Sequence, residues 1–75
     1  MAKGISDTRY RELIELLVGQ RRSLALTQLD LAQRLGTHQQ FVSRVETGER
    51  RLDVVEFVDY SKALMLDPRT LLDRI

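Results

Sequence analysis

The run Gln28–Thr47, QLDLAQRLGTHQQFVSRVET, leaves the chain few ways to fold. Leu31, Ala32 and Leu35 share one face of a helix, and Val42 and Val45 share one face of the next. Gly36 stands between the two apolar sets. A glycine directly after the last periodic residue suits the left-handed conformation that ends a helix, and Thr37 is placed to cap the following helix through its hydroxyl. Almost nothing remains for a loop, so the two helices must cross steeply, and the other segments read as supports for that corner.

The second of these helices has an unusual outer face. Away from Val42 and Val45 it carries Gln39, Gln40, Ser43, Arg44 and Thr47, where a merely solvated face would be rich in Glu and Lys pairs. No carboxylate occurs on it before Glu46. An amide offers donor and acceptor together, which matches adenine N6 and N7, and a guanidinium forks onto guanine O6 and N7. Any single Gln here is more simply a water-facing residue; the set, placed just after a Gly-Thr turn, points to DNA.

The flanking segments have their own start signals. Ser6 or Asp7 opens a first helix whose apolar stripe is Tyr10, Leu13, Ile14 and Leu17; Gly19 weakens its last turn, by about 1 kcal/mol relative to alanine. Thr27 with Asp30 forms a capping box for the next helix, with Leu26 and Leu31 at staple positions. Asp53 with Glu56 forms another, stapled by Leu52 and Phe57, and Val55, Val58, Ala63 and Leu64 are its core candidates. Asp67-Pro68 opens the last helix, stapled by Leu66 and Leu71. Helices are therefore expected near residues 7 to 22, 28 to 35, 38 to 47, 54 to 65 and 68 to 74. Residues 1 to 6 form a flexible lead-in, 7 to 75 form one domain, and the fold class is all-α, a compact five-helix bundle.

Composition limits the function. With 75 residues, 43% apolar and 31% charged, the chain suits one small globular domain. It has no cysteine, so neither a disulfide framework nor a thiolate metal site is expected, and a cytoplasmic location fits. The start, MAKGISD, has no apolar leader, and no run is long enough for a membrane span. A single histidine, His38, gives no basis for a multi-histidine metal site or a Ser-His pair, and no nucleophile, base and orienting group recur, so neither cofactor nor enzymatic activity is expected. The net charge of +1 says little about nucleic acid, but its distribution is uneven. Six arginines face three acids between Arg21 and Arg51, whereas five acids face three bases from Asp53 onward. The basic end suits DNA; the acidic C-terminal face is left for a protein partner.

These residues carry a resemblance. From about Tyr10 to Leu72 the chain resembles the Cro/CI-type, or XRE-like, helix-turn-helix family, which includes the repressors and Cro proteins of lambdoid phages. The resemblance rests on Arg21, Leu26-Thr27-Gln28, Leu31-Ala32, Leu35-Gly36, Gln39-Gln40, Val42, Val45, Glu46 and Gly48. Ala25 departs from it, standing where the family usually has Gly, as do Phe41 and Thr47, which replace small or basic residues. The resemblance implies a lambda-repressor-like domain that binds double-stranded DNA as a dimer, with Gln39, Gln40, Arg44 and Phe41 reading bases. Gln28, Thr37, His38, Ser43, Thr47, Arg50 and Arg51 fall to phosphate contacts, with the minor groove as an alternative for the two arginines, and His38 alternatively lies in water. It also implies an ion pair between Arg21 and Glu46. Gln40 has a competing use as a capping-box partner of Thr37, and Phe41 one as a partly buried residue. Met65, Leu72 and Ile75 either complete the core or form a two-fold homodimer seam. Repressor, restriction-modification controller and antitoxin all remain open, the last with a protein as its main partner.

Overall fold

The computed structural model describes residues 7–75, so the expected lead-in and the cap at Ser6 lie outside the described residues. Five helices follow in order: α1 Thr8–Ser23, α2 Gln28–Leu35, α3 Gln39–Thr47, α4 Val54–Ala63 and α5 Pro68–Asp73. No strand occurs among the described residues. Helix α2 packs against both α3 and α4, α1 braces α3, and α5 closes against α4. The core draws on every helix: Leu13, Ile14 and Leu17 from α1, Leu31 and Ala32 from α2, Val42 and Val45 from α3, Phe57, Tyr60 and Leu64 from α4 and its cap, and Leu71 from α5.

Local chemistry explains most of the helix starts. The Asp7 carboxylate accepts from the Arg9 amide. Thr27 and Asp30 close a reciprocal capping box, as do Asp53 and Glu56. These contacts hold the carboxyls of Asp7, Asp30 and Glu56 below their ordinary range: Arg9 acts on Asp7, the Thr27 amide on Asp30, and Arg50 is the largest influence on Glu56.

Helix α3 departs from the sequence expectation. Its N-cap is His38, with no side-chain capping bond, and Thr37 does not cap it. The reason lies in the preceding turn. Gly36 takes φ +70, its amide reaches Gln33, and the Thr37 amide donates to the Ala32 carbonyl at 2.9 Å. Thr37 thus belongs to the Schellman turn that finishes α2, and the next helix starts one residue later. With Thr37 spent there, Gln40 makes no capping-box contact and stands exposed.

The sequence also misplaces part of α4. Val55 is 66% exposed, because Phe57, Tyr60, Ser61 and Leu64 define the buried side and leave the first-turn valines outside it. Helix α4 ends at Ala63, two residues short of the expected limit, in a second Schellman turn: Leu66 N–H bonds the Ser61 carbonyl while Met65 takes φ +62. The turn ending α1 is the same, with Leu26 bonding the Arg21 carbonyl and Ala25 at φ +58.

Two left-handed positions are thus held by residues with a Cβ, which costs about 1 to 2 kcal/mol at each relative to glycine. Ala25→Gly should relieve that strain, partly offset by the larger entropy of the unfolded chain, and stabilise the domain by about 0.5 to 1 kcal/mol. The expected outcome is a rise of several degrees in the thermal midpoint. An unchanged or lower midpoint would show that the turn carries no strain.

Candidate nucleic-acid interface

The site is built on an ion pair that joins three helices. Arg21, 8% exposed near the end of α1, donates through Nε to Glu46 Oε2 at 2.6 Å and through Nη2 to Oε1 at 3.1 Å. Its Nη1 donates to the Leu26 carbonyl at 2.7 Å, fastening the segment that enters α2. From the first turn of α2, Gln28 Nε2 donates to Glu46 Oε1 at 2.9 Å. Both charged side chains are mostly removed from water, and the Glu46 hydrogen bond drives the Arg21 guanidinium further above its ordinary range. A fork-on-fork pair of this kind fixes orientation as well as position. It sets α3 on the rest of the domain.

Beside it lies the buried Tyr60 hydroxyl, which has no hydrogen-bond partner. Burial pushes that phenol upward, and the nearby Glu46 carboxylate adds to the effect.

With α3 fixed in this way, Val42 and Val45 point inward and Gln39, Gln40 and Arg44 stand exposed on its outer side. None of these three side chains has a hydrogen-bond or ion-pair partner among the described residues. Phe41 differs: it is half-buried against the core, 6.4 Å from the Tyr60 ring, and the Arg50 guanidinium lies 4.8 Å above its own ring. His38 and Thr47 are exposed, Ser43 and Thr37 half-buried. The Thr47 hydroxyl is within reach of the Arg44 carbonyl and Glu49.

Two residues assigned to phosphate are occupied inside the protein. The Gln28 side-chain amide rests on Glu46 rather than standing free. Arg50 makes a bidentate pair with Glu56, at 2.9 and 2.7 Å, and also donates to the Arg51 carbonyl at 2.6 Å. Sequence reasoning missed Glu56 as a partner for Arg50, since a six-residue separation across a loop matches no local pairing rule. It also missed Arg11, whose Nη1 lies 3.2 Å from where a Cβ on Gly48 would stand; exposed arginines in a first helix carry no sequence signal. Arg51 lies over the Tyr10 ring at 4.5 Å. Met65, Leu72 and Ile75 are 74%, 51% and 42% exposed, so they do not complete the core.

Among the described residues, no group of three or more His, Cys, Asp or Glu is placed to hold a metal ion, and no helix is long and apolar enough to cross a membrane.

A short, steeply turned helix pair with a polar outer helix, braced by a buried Arg-Glu pair, defines a DNA-binding helix-turn-helix domain. The chain belongs to the XRE-like helix-turn-helix family: the family model described as helix-turn-helix matches residues 20–71. It is similar to a solved XRE-family like protein from Pseudomonas syringae pv. tomato str. DC3000, with 46% identity and a TM-score of 0.88 over 96% of this chain and 88% of that one. No curated protein matches the sequence.

The Arg-Glu pair can be tested by stability. Glu46→Ala strands a largely buried guanidinium and should cost about 3 to 5 kcal/mol, a large share of what a small domain has. Glu46→Gln, which keeps an acceptor, should cost less. Urea unfolding checks both, and a Glu46→Ala loss below about 1 kcal/mol would reduce the pair to an ordinary surface contact.

Proposed function

We propose that the protein is a transcriptional repressor that occupies a palindromic operator as a homodimer, with one α3 in the major groove of each half-site. The observation that carries this reading is the state of Gln39, Gln40 and Arg44: exposed, adjacent on one helix and without partners inside the protein. In water, such amides and guanidinium gain nothing from being grouped. Against base edges they supply paired donors and acceptors, Gln39 and Gln40 on neighbouring base pairs and Arg44 on one further along or on a phosphate.

Thr37, His38, Ser43, Thr47 and Arg51 flank these residues and serve the backbone, as does the amide of Gln28; Arg50 joins them on giving up Glu56. Phe41 supports the helix from beneath and offers its ring edge to a thymine methyl. Such a protein acts in the cytoplasm and needs neither cofactor nor catalysis.

A second reading has an observation of its own. Val54, Val55, Met65, Leu72 and Ile75 are exposed apolar side chains on α4, α5 and the segments that follow them. They suit a homodimer seam, or a protein partner such as a toxin bound on the acidic C-terminal face. Salt separates the two activities, because DNA affinity falls steeply with ionic strength through counterion release and an apolar interface does not.

Selection of bound duplexes from a random pool should return a palindrome. On that site Gln39→Ala or Gln40→Ala should cost about 1 to 3 kcal/mol and relax preference at one symmetric base-pair position per half-site. Measuring each mutant against all four base pairs at every position checks the assignment, and a uniform loss would move the residue to the backbone class.

Leu72→Asp should weaken self-association and operator affinity together, since a two-fold axis desolvates the new carboxylate twice. Sedimentation of the variant with and without operator measures both. Unchanged self-association would place the seam elsewhere.

A further inference from the structure

Helix α1 sends two arginines to the end of α3. Arg21 is consumed there by Glu46. Arg11 is not. Its guanidinium lies against Gly48, whose φ of +88 and lack of a side chain make room for it. The ion pairs among the described residues engage Arg9, Arg21, Arg50 and Arg69, and none engages Arg11.

Arg51 is in the same condition. It is held over the Tyr10 ring, and Tyr10 directly precedes Arg11. The Tyr10 hydroxyl also accepts the Leu52 amide at 3.3 Å, which ties the loop after α3 to the start of α1. An aromatic face holds a cation in place without cancelling its charge. Among the described residues, two guanidiniums without a carboxylate partner therefore lie where the first turn of α1 meets the end of α3 and the loop that follows it.

A purely structural role for Arg11 would be to cap the last carbonyls of α3. Those of Val45 and Arg44 are already served by the Gly48 and Arg50 amides, and Arg11 makes no hydrogen bond to them. Arg11 itself is exposed. A phosphate beside either guanidinium meets a cation that no carboxylate of the described residues pairs with.

We propose that Arg11, beside Arg51, is a DNA-backbone contact that anchors the C-terminal end of the recognition helix on phosphate. The first turns of α2 and α3 meet the backbone at the other end, so α3 is held from both sides. This inference rests on the DNA-binding reading.

The test compares the full chain with Arg11→Gln by fluorescence anisotropy on the selected operator and on a random duplex, across a range of salt. Arg9→Gln removes the same formal charge from the same helix, at a residue that already pairs with Asp7, and serves as the control. Arg11→Gln should weaken both duplexes by the same factor, about three- to tenfold, and lower the salt slope by about one. Its thermal midpoint should match the wild type, and Arg9→Gln should leave the slope unchanged. A wild-type slope in Arg11→Gln would overturn the proposal. So would a lower midpoint with an unchanged slope, which would make Arg11 a support for α3. Failure of the wild type to bind any duplex would overturn the DNA-binding reading itself.

Discussion

The buried pair between Arg21 and Glu46 is the constraint on which the site depends. Three helices meet there, and two of them, α2 and α3, are too short to be stable alone. Apolar packing gathers them, but it is non-directional and by itself resists rotation of α3 about its axis less than a hydrogen bond does. A bidentate guanidinium does not tolerate such rotation. Because Arg21 also holds the Leu26 carbonyl and Gln28 also holds Glu46, the angle of α3 is set by hydrogen bonds from the end of one helix, the entry to a second and the start of that second helix. The direction of Gln39, Gln40 and Arg44 follows from it.

The turns provide the second constraint. Left-handed residues at Ala25, Gly36, Gly48 and Met65 end four successive helices, so that each reverses within very few residues. At Gly36 the requirement is met without strain. At Ala25 and Met65 it is met by residues whose Cβ resists it, which indicates that the flanking contacts, Leu26 and Leu66 against the core, outweigh the local cost.

Much of this was legible in the residues, for a physical reason that also marks where legibility ends. Capping boxes at Thr27-Asp30 and Asp53-Glu56 are local, with donor and acceptor three residues apart, and they appear in the structure where the sequence placed them. The helix count and the helix-turn-helix followed from periodicity and Gly36. The start of α3 did not, because the competition for the Thr37 amide is decided by the geometry of the preceding turn. Val55 was misjudged because a first-turn valine looks the same whether or not the domain has a surface to cover it. Most of what escaped at the site was tertiary: Gln28 reaching Glu46, Glu56 holding Arg50, and Arg11 lying over Gly48. None of these follows a spacing rule.

The division of labour on α3 bears on how such a protein can change. Val42, Val45 and Glu46 hold the domain together, whereas Gln39, Gln40 and Arg44 hold nothing in it. A substitution at any of these three exposed positions leaves the core and the ion-pair network untouched, and surface changes of that kind alter stability by little. On the proposed base-reading role of these residues, new DNA preferences could therefore be explored one side chain at a time on an unchanged scaffold. Gln28 and Arg50 lack that freedom, since exchanging either disturbs a hydrogen bond that the fold uses. Descendants of this chain would be expected to diverge first on the outer face of α3 and last at the three-helix junction behind it.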